Sequence, residues 1–447
     1  MSEPPKSRNS LSDNVQKDAS ALRHFRLAVV ISHPIQYFAP LFRRLAQHPL
    51  IDLTVLYASL IGAHAYKDRD FGEIIAWDIP VLDGYRYVQL RSYGTANLQG
   101  FLNCTAPGIV SYVRREQYDS ILVFGWANTT SWLAFAAAQK TGVPWMLYGD
   151  SNAIYEREKA WPKRVIRKFV LEQLFRRTAA FLMTGTFNRM FYESLGVSPD
   201  RCFKVPLAID NEYFSRRADE ARQRRELIRA RYGIPSNVVL LLFVGKLIPR
   251  KRPHDVLCAL KTLQPRLPGL GVAFVGEGIL RTSLESEAVQ QNIKNVFFLG
   301  FRNQAELPDI YAASDIFILP SYYDPKPLVA NEAMACGLPI LASDRTGIWG
   351  PDEILKGGEN GFVYPCGDPT SLQEAIYRLA TDSELCQQMG RQSLQIIQGF
   401  GYDQCVDGIL KALAFVTHRS DVPECTPPLY LRTARFDSPT ITKRKKQ

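Results

Sequence analysis

Pro320-Ser321-Tyr322-Tyr323-Asp324-Pro325-Lys326-Pro327-Leu328-Val329-Ala330-Asn331-Glu332-Ala333-Met334-Ala335-Cys336-Gly337-Leu338-Pro339 decides the fold class of this chain. Just ahead of it runs Ile316-Phe317-Ile318-Leu319, a short unbroken apolar stretch of the kind found in strands covered on both faces. A Pro-rich loop follows, then a helical run stopped by Gly337-Leu338-Pro339. Strand, loop and helix in that order form a β-α unit, and open α/β sheets bind ligands at the carboxyl ends of their strands. Asp324 and Glu332 lie at that end, one in the loop and one in the helix. Acceptor-only carboxylates beside a helix N-terminus suit a ligand with hydroxyls for the acids and a phosphate for the amides. A nucleotide sugar has both parts.

Upstream, Leu241-Leu242-Phe243-Val244-Gly245-Lys246-Leu247-Ile248-Pro249-Arg250-Lys251-Arg252-Pro253 reads as a strand, a glycine turn and a cationic loop. Gly245 lets the backbone turn sharply after the strand. Lys246 and Lys251 would not share a helix face, yet from a loop they can converge on one anion. Taken alone, this block is explained by a solvated basic loop; taken with the acids downstream, an anion site explains both.

Further out, 25–32 reads as a strand, followed by the loop His33-Pro34-Ile35-Gln36-Tyr37 and a helix, which opens a first α/β domain. Strands are expected again at 52–57, 120–124, 144–148 and 180–184, with helices such as 132–140 between some of them. A second series begins at 237–244 and continues at 272–275, 296–299, 316–319 and 339–342.

The acid-x7-acid spacing followed by A-M-A-x-G-x-P, together with the V-G-K-L and lysine block, resembles the family 4 retaining glycosyltransferases, whose signature is E-x7-E. The resemblance covers residues 25–415 and is strongest in the second half. It implies an α/β chain of GT-B architecture, two doubly wound Rossmann-like domains facing a central cleft. The division it implies is a disordered segment 1–24, an acceptor-side domain 25–215 and a nucleotide-sugar domain 216–400. A helix 401–418 would cross back to the first domain, and a basic tail 419–447 would follow. The joint is expected within 210–231.

By the same resemblance, Glu332 would accept hydrogen bonds from the ribose and Asp324 from the donor sugar. Gly245, Lys246 and Lys251 would hold the diphosphate with the amides of Leu328 and Val329. Gly276, in Gly276-Glu277-Gly278, would lie near the nucleotide, and Arg302 belongs to the loop Gly300-Phe301-Arg302-Asn303 that reads the base through its backbone. Asp150 stands where many relatives place a histidine near the reacting carbon, and His33, Gln36 and Tyr37 would face the acceptor. Lys246, Lys251, Asp324 and Asp150 are thus the catalytic candidates, with no metal and no cofactor, the nucleotide sugar being a substrate.

Four positions depart from the family pattern: Asp324 for glutamate, Lys246 for arginine, Pro327 for glycine and Asp150 for histidine. Lysine keeps the charge and loses the bidentate fork, and proline cannot donate a backbone hydrogen bond. Plainer explanations stand beside several candidates. Asp324-Pro325 suits a turn, Asp150-Ser151 a helix cap, and His33-Pro34 a rigid turn. The reading is a metal-independent hexosyltransferase acting on an acceptor hydroxyl in polysaccharide or glycolipid assembly. Its rivals are a non-catalytic nucleotide-sugar-binding regulator and a sugar-nucleotide epimerase, which shares the architecture but lacks the acid-x7-acid arrangement.

The chain's 447 residues suit two to three domains, and 46% hydrophobic content suffices for packed cores. Residues 1–24 lack the apolar stretch of a secretory signal, and no run has the length of a membrane span. Eight cysteines without a CxxC pair argue against zinc and disulfide frameworks. A net charge of +10 suits anionic partners, and no recognised nucleic-acid motif accompanies it. Partners would therefore be a nucleoside diphosphate sugar and a glycan or lipid-linked acceptor, with no nucleic acid. The expected location is the cytoplasm. The basic run 163–177 is either a helix resting on an acidic membrane at its inner face or a core-facing helix with a solvated cationic side.

Overall fold

The computed structural model describes residues 24–63, 65–67, 74–75, 77–94, 100–156 and 161–419. Apart from His24 and Arg419, the segments read as a disordered leader and a basic tail lie outside these residues. The first sheet contains β1 (Phe25–Ile31), β2 (Ile51–Tyr57), β3 (Tyr87–Gln89), β4 (Ser120–Phe124), β5 (Trp145–Tyr148), β6 (Ala180–Met183) and β7 (Cys202–Lys204). Its spatial order is β3-β2-β1-β4-β5-β6-β7, all parallel. The second contains β8 (Val239–Val244), β9 (Leu270–Val275), β10 (Val296–Gly300), β11 (Ile316–Leu319), β12 (Ile340–Ser343) and β13 (Gly361–Tyr364), ordered β10-β9-β8-β11-β12-β13 and also parallel.

Each sheet starts in its middle, winds to one side, then returns and winds to the other. The order reverses between β1 and β4 and between β8 and β11. Such switch points open a crevice at the strands' carboxyl ends. The central strands are continuous aliphatic runs because helices cover both faces: Leu240, Leu241 and Leu242 of β8 and Ile316, Phe317 and Ile318 of β11 are wholly buried.

Six helices matter for the site and its surroundings: α1 (Ala39–Gln47), α2 (Trp161–Arg177), α3 (Thr186–Glu193), α4 (Leu307–Ala313), α5 (Leu328–Ala335) and α6 (Tyr402–Val416). The last, α6, lies on the first sheet, burying Cys405, Ile409 and Leu413 in the same core as Leu27 and Val29 of β1. Its Asp403 pairs with Arg44 of α1.

The segment 210–231, read as a joint, folds as two further helices, Asn211–Arg222 and Arg225–Arg231, whose Phe214, Ala218 and Ile228 enter the core of the second sheet. Buried Arg229 fastens them there by donating to Asp315 Oδ2 and the Ala313 carbonyl, each at 2.9 Å. The Asp210 carboxylate caps the first of these helices by accepting from the Tyr213 N–H at 2.9 Å.

Helix α2 corrects one expectation. A core-facing apolar side exists only in its last turns, where Leu171, Leu174 and Phe175 are buried. In the first turns Trp161, Val165, Ile166 and Phe169 are 69%, 48%, 67% and 63% exposed.

Candidate active site

Strands β8 and β11 end on either side of the second switch point, and each supplies part of a pocket. After β8 the loop runs beside the turn that follows β9, the Leu247 N–H donating to the Glu277 carbonyl at 2.8 Å. Contact is so close that a Cβ on Gly276 would lie 2.2 Å from the Gly245 carbonyl oxygen, so glycine alone fits. Half-buried Lys246 lies in this loop, which continues into the single turn Pro249–Lys251. There the Lys251 ammonium pairs with the Asp324 carboxylate, which follows β11.

Asp324 is buried and its backbone is held twice. Its N–H donates to the Tyr155 hydroxyl, and its carbonyl accepts from the Gly347 N–H, both at 2.9 Å. The Asp-Pro turn thus also carries a side chain fixed on a lysine. Next comes α5 with Pro327 at its N-cap. Leu328 and Val329 open the helix, where first-turn N–H groups have no carbonyl one turn earlier to bond.

Glu332, one turn further on, is wholly buried. Tyr37 donates its hydroxyl to Oε1 at 3.0 Å and Tyr311 of α4 donates to Oε2 at 2.9 Å. Tyr37 belongs to the loop after β1, so the two switch points meet at this carboxyl group. Burial lifts it to about 7, and the two phenol bonds, which favour the ionised form, offset only part of that rise. Glu332 therefore changes charge near neutral pH. Loss of water and the carboxylate beside it push the Tyr37 hydroxyl well above the usual phenol range.

A second bridge joins the domains. Buried Glu353 accepts from the Thr186 N–H at 2.7 Å with Oε1 and pairs with Lys326 through Oε2. This puts a carboxylate on the N-terminus of α3, where the helix dipole favours it. A Cβ on Gly185 would lie 2.0 Å from Glu353 Oε1, so a side chain on the residue before α3 would displace this carboxylate. Neighbouring Asp352 reinforces the contact, its N–H donating to Thr186 Oγ1 and its carboxylate meeting Arg189, each at 3.1 Å. Tyr155 adds a third, its ring tilted by 37° against that of Tyr323 with centroids 4.1 Å apart, and its hydroxyl donating to the Arg345 carbonyl.

The structure thus brings together Lys251, Asp324, the start of α5, Glu332 and Tyr37. Arg302 serves its own loop: it donates to the Leu299 carbonyl at 3.0 Å and to Glu306 at 3.1 Å, and lies over the Tyr232 ring. His33 shares a hydrogen bond of 2.8 Å between Nδ1 and Ser32 Oγ, and burial lowers its pKa to about 4, so it is neutral at pH 7. Gln36 is buried, and its Oε1 has no hydrogen-bond partner among the described residues. Asp150 follows β5 and is exposed, yet the protein around it removes enough water to raise its pKa. The local cap is made by Asn152, whose Oδ1 accepts from the Ile154 N–H at 2.9 Å.

Tyr155, Tyr311, Thr186 and Glu353 were not among the sequence candidates, and Lys326 carried no role although it lies in the opening stretch. Partners lie 167 residues apart for Thr186 and Glu353 and 169 for Tyr155 and Asp324, and even the 21 residues between Tyr311 and Glu332 follow no periodicity that announces the pair. Among the described residues, no group of three or more His, Cys, Asp or Glu side chains could hold a metal ion.

The family model for glycosyl transferases group 1 matches residues 224–395. D-inositol 3-phosphate glycosyltransferase of Corynebacterium jeikeium (strain K411) is 33% identical over 325 residues, 68% of this chain and 74% of that one. UDP-Gal:alpha-D-GlcNAc-diphosphoundecaprenol alpha-1,3-galactosyltransferase of Escherichia coli is 26% identical over 304 residues, 66% of this chain and 75% of that one. Among solved structures, Anabaena Alr3699/HepE in complex with UDP superposes with a TM-score of 0.65 at 17% identity, covering 88% of this chain and 99% of that one. WaaG, a glycosyltransferase involved in lipopolysaccharide biosynthesis, gives 0.58 at 18% identity over 88% and 99%. These likenesses establish the GT-B fold.

Proposed function

This chain belongs to the group 1 glycosyl transferases, and we propose that it moves a hexose-like unit from a nucleoside diphosphate sugar to an acceptor hydroxyl, with retention at the anomeric carbon and without a metal. The observation that carries the reading is the meeting of Lys251, Asp324, the first turn of α5 and Glu332 at the switch point of the second sheet. In this reading the ribose hydroxyls take the place of Tyr37 on Glu332, and the diphosphate lies against the amides of Leu328 and Val329. Lys246 and Lys251 neutralise its charge, which grows as the glycosidic bond breaks, so their attraction is stronger in the transition state than in the ground state. The acceptor hydroxyl attacks from the face the diphosphate leaves. Asp324 holds the sugar hydroxyls, and Asp150, with a raised affinity for its proton, stands on the acceptor side with His33, Gln36 and Tyr37.

A lipid-linked acceptor in glycolipid or polysaccharide assembly draws support from the diphosphoundecaprenol named for the E. coli relative. The bound UDP of the Anabaena structure supports the donor class. We place the chain in the cytoplasm, in keeping with seven described cysteines that are all free thiols. One observation favours a second reading, a non-catalytic nucleotide-sugar-binding regulator: Asp324 and Lys251 neutralise each other, and both oxygens of Glu332 are occupied.

The test is incubation with a panel of nucleoside diphosphate sugars and lipid-linked or glycan acceptors, with and without chelator. Product anomeric configuration would be read by proton NMR. Chelator-insensitive transfer with retained configuration is expected; donor binding without transfer to any acceptor would favour the regulator.

A further inference from the structure

We propose that the outer half of α2, with Phe101 and Leu102 beside it, docks on the surface of a bilayer rich in anionic lipid, independently of the transferase reading. The helix is built in two halves of opposite sense. Residues 161, 165, 166, 169 and 170 fall within half a turn of one another around the helix axis, and all are apolar and at least 38% exposed. Leu171, Leu174 and Phe175 point the other way, into the first domain. Inward of the outer half lies Arg167, whose guanidinium sits over the Trp126 ring at 5.8 Å. The apolar face is therefore turned to solvent along more than two helical turns, where a core-facing helix would show its charges.

The patch continues across an open groove of about 340 Å³ between α2, Phe101, Trp126 and Trp132. Phe101 lines its far side and is 50% exposed, and the next residue, Leu102, is 69% exposed. A contiguous surface with Trp, Phe and Ile at its centre has the composition of a monotopic membrane contact.

Charge selects the occupant. Between Trp161 and Arg177 the sequence has six basic residues, Lys163, Arg164, Arg167, Lys168, Arg176 and Arg177, against one acid, Glu172. A second copy of the chain docked through the same patch would set these like charges against each other across a twofold axis. Nucleic acid would leave Val165, Ile166 and Val170 without a use. Anionic headgroups satisfy the charges while the acyl boundary takes the apolar side chains. No helix among the described residues is long and apolar enough to cross a membrane, so this contact would lie on the surface rather than span it.

The experiment is sedimentation of the full chain with phosphatidylglycerol and with phosphatidylcholine vesicles. Wild type should sediment with the anionic vesicles, weaken with salt, and show a blue shift of Trp161 emission that Trp161→Phe removes. Ile166→Glu with Phe169→Glu should cut partitioning by at least about tenfold, while the melting temperature holds because both side chains are already in water. Arg164→Glu with Lys168→Glu should cut it as well and flatten the salt dependence. The proposal is overturned by failure to sediment with anionic vesicles. It is overturned equally if the Ile166 and Phe169 double variant sediments like wild type, or if light scattering shows a dimer that this variant dissolves without any effect of lipid.

Discussion

The two sheets of this chain share one winding order, and their switch points carry opposite chemistry. On the second, the strand ends bring an ion pair, a further lysine, a helix N-terminus and a carboxyl group that titrates near 7. On the first, the corresponding end brings a neutral histidine, a glutamine and a tyrosine. Topology thus makes a crevice twice, and residue type decides what each half can hold. The charged half suits a fixed anionic ligand, the neutral half a ligand recognised by shape and hydroxyls.

That contrast breaks first at Lys251. Its side chain and that of Asp324 are 14% and 11% exposed, so Lys251→Met strands a buried carboxylate. We expect a loss of about 3 kcal/mol in stability by denaturant titration, with part of it recovered by adding Asp324→Asn, and a fall in transfer of about a hundredfold or more. An additive double variant would show that the pair is not a coupled unit.

Next in size is Glu353→Ala, which leaves buried Lys326 unpaired and the N-terminus of α3 uncapped. About 2–3 kcal/mol of stability should go, and small-angle scattering should register a more open arrangement of the domains. Unchanged scattering would mean that the other bridges suffice to hold the halves together.

A pH titration sharpens the comparison. Hydroxyl donors bond an ionised carboxylate more strongly than a neutral one, so nucleotide affinity should weaken by about tenfold from pH 8 to pH 6 as Glu332, at about 7, gains its proton. Glu332→Gln should flatten that slope. Stability runs the other way. Between the ordinary value of 4.5 and about 7 the folded state holds the extra proton, so Glu332 makes the fold less stable as pH rises through that window. Smallest is Tyr37→Phe, which removes one of the two phenols and should change stability by only about 1 kcal/mol while raising the pKa of Glu332 further, as followed by carboxyl infrared absorption.

Legibility follows the same line between the halves. The central strands were readable because both-face burial demands unbroken aliphatic runs, as in Leu240-Leu241-Leu242-Phe243. The edge strands Tyr87–Gln89, Cys202–Lys204 and Gly361–Tyr364 were not, since they are three or four residues long, partly exposed, and placed by pairing rather than by pattern. The candidate site on the second sheet could be proposed from sequence because Lys251, Asp324 and Glu332 come in two compact blocks. Tyr37 meets Glu332 across 295 residues, and only the folded chain reveals that contact. Helix α2 stayed ambiguous in sequence for a different reason: its two halves are amphipathic in opposite senses, Leu171, Leu174 and Phe175 buried and Trp161, Val165, Ile166 and Phe169 exposed, so the run as a whole fits neither a core-facing nor a surface-lying helix by itself.

Calorimetric titration of nucleoside diphosphates into wild type, Lys251→Ala and Glu332→Ala tests the central claim, that the charged switch point is the donor site, most directly. The account predicts saturable, chelator-insensitive binding to the natural chain, weakened at least about thirtyfold in both variants while each keeps its fold by circular dichroism. Equal affinity in all three proteins would contradict it and move the donor elsewhere.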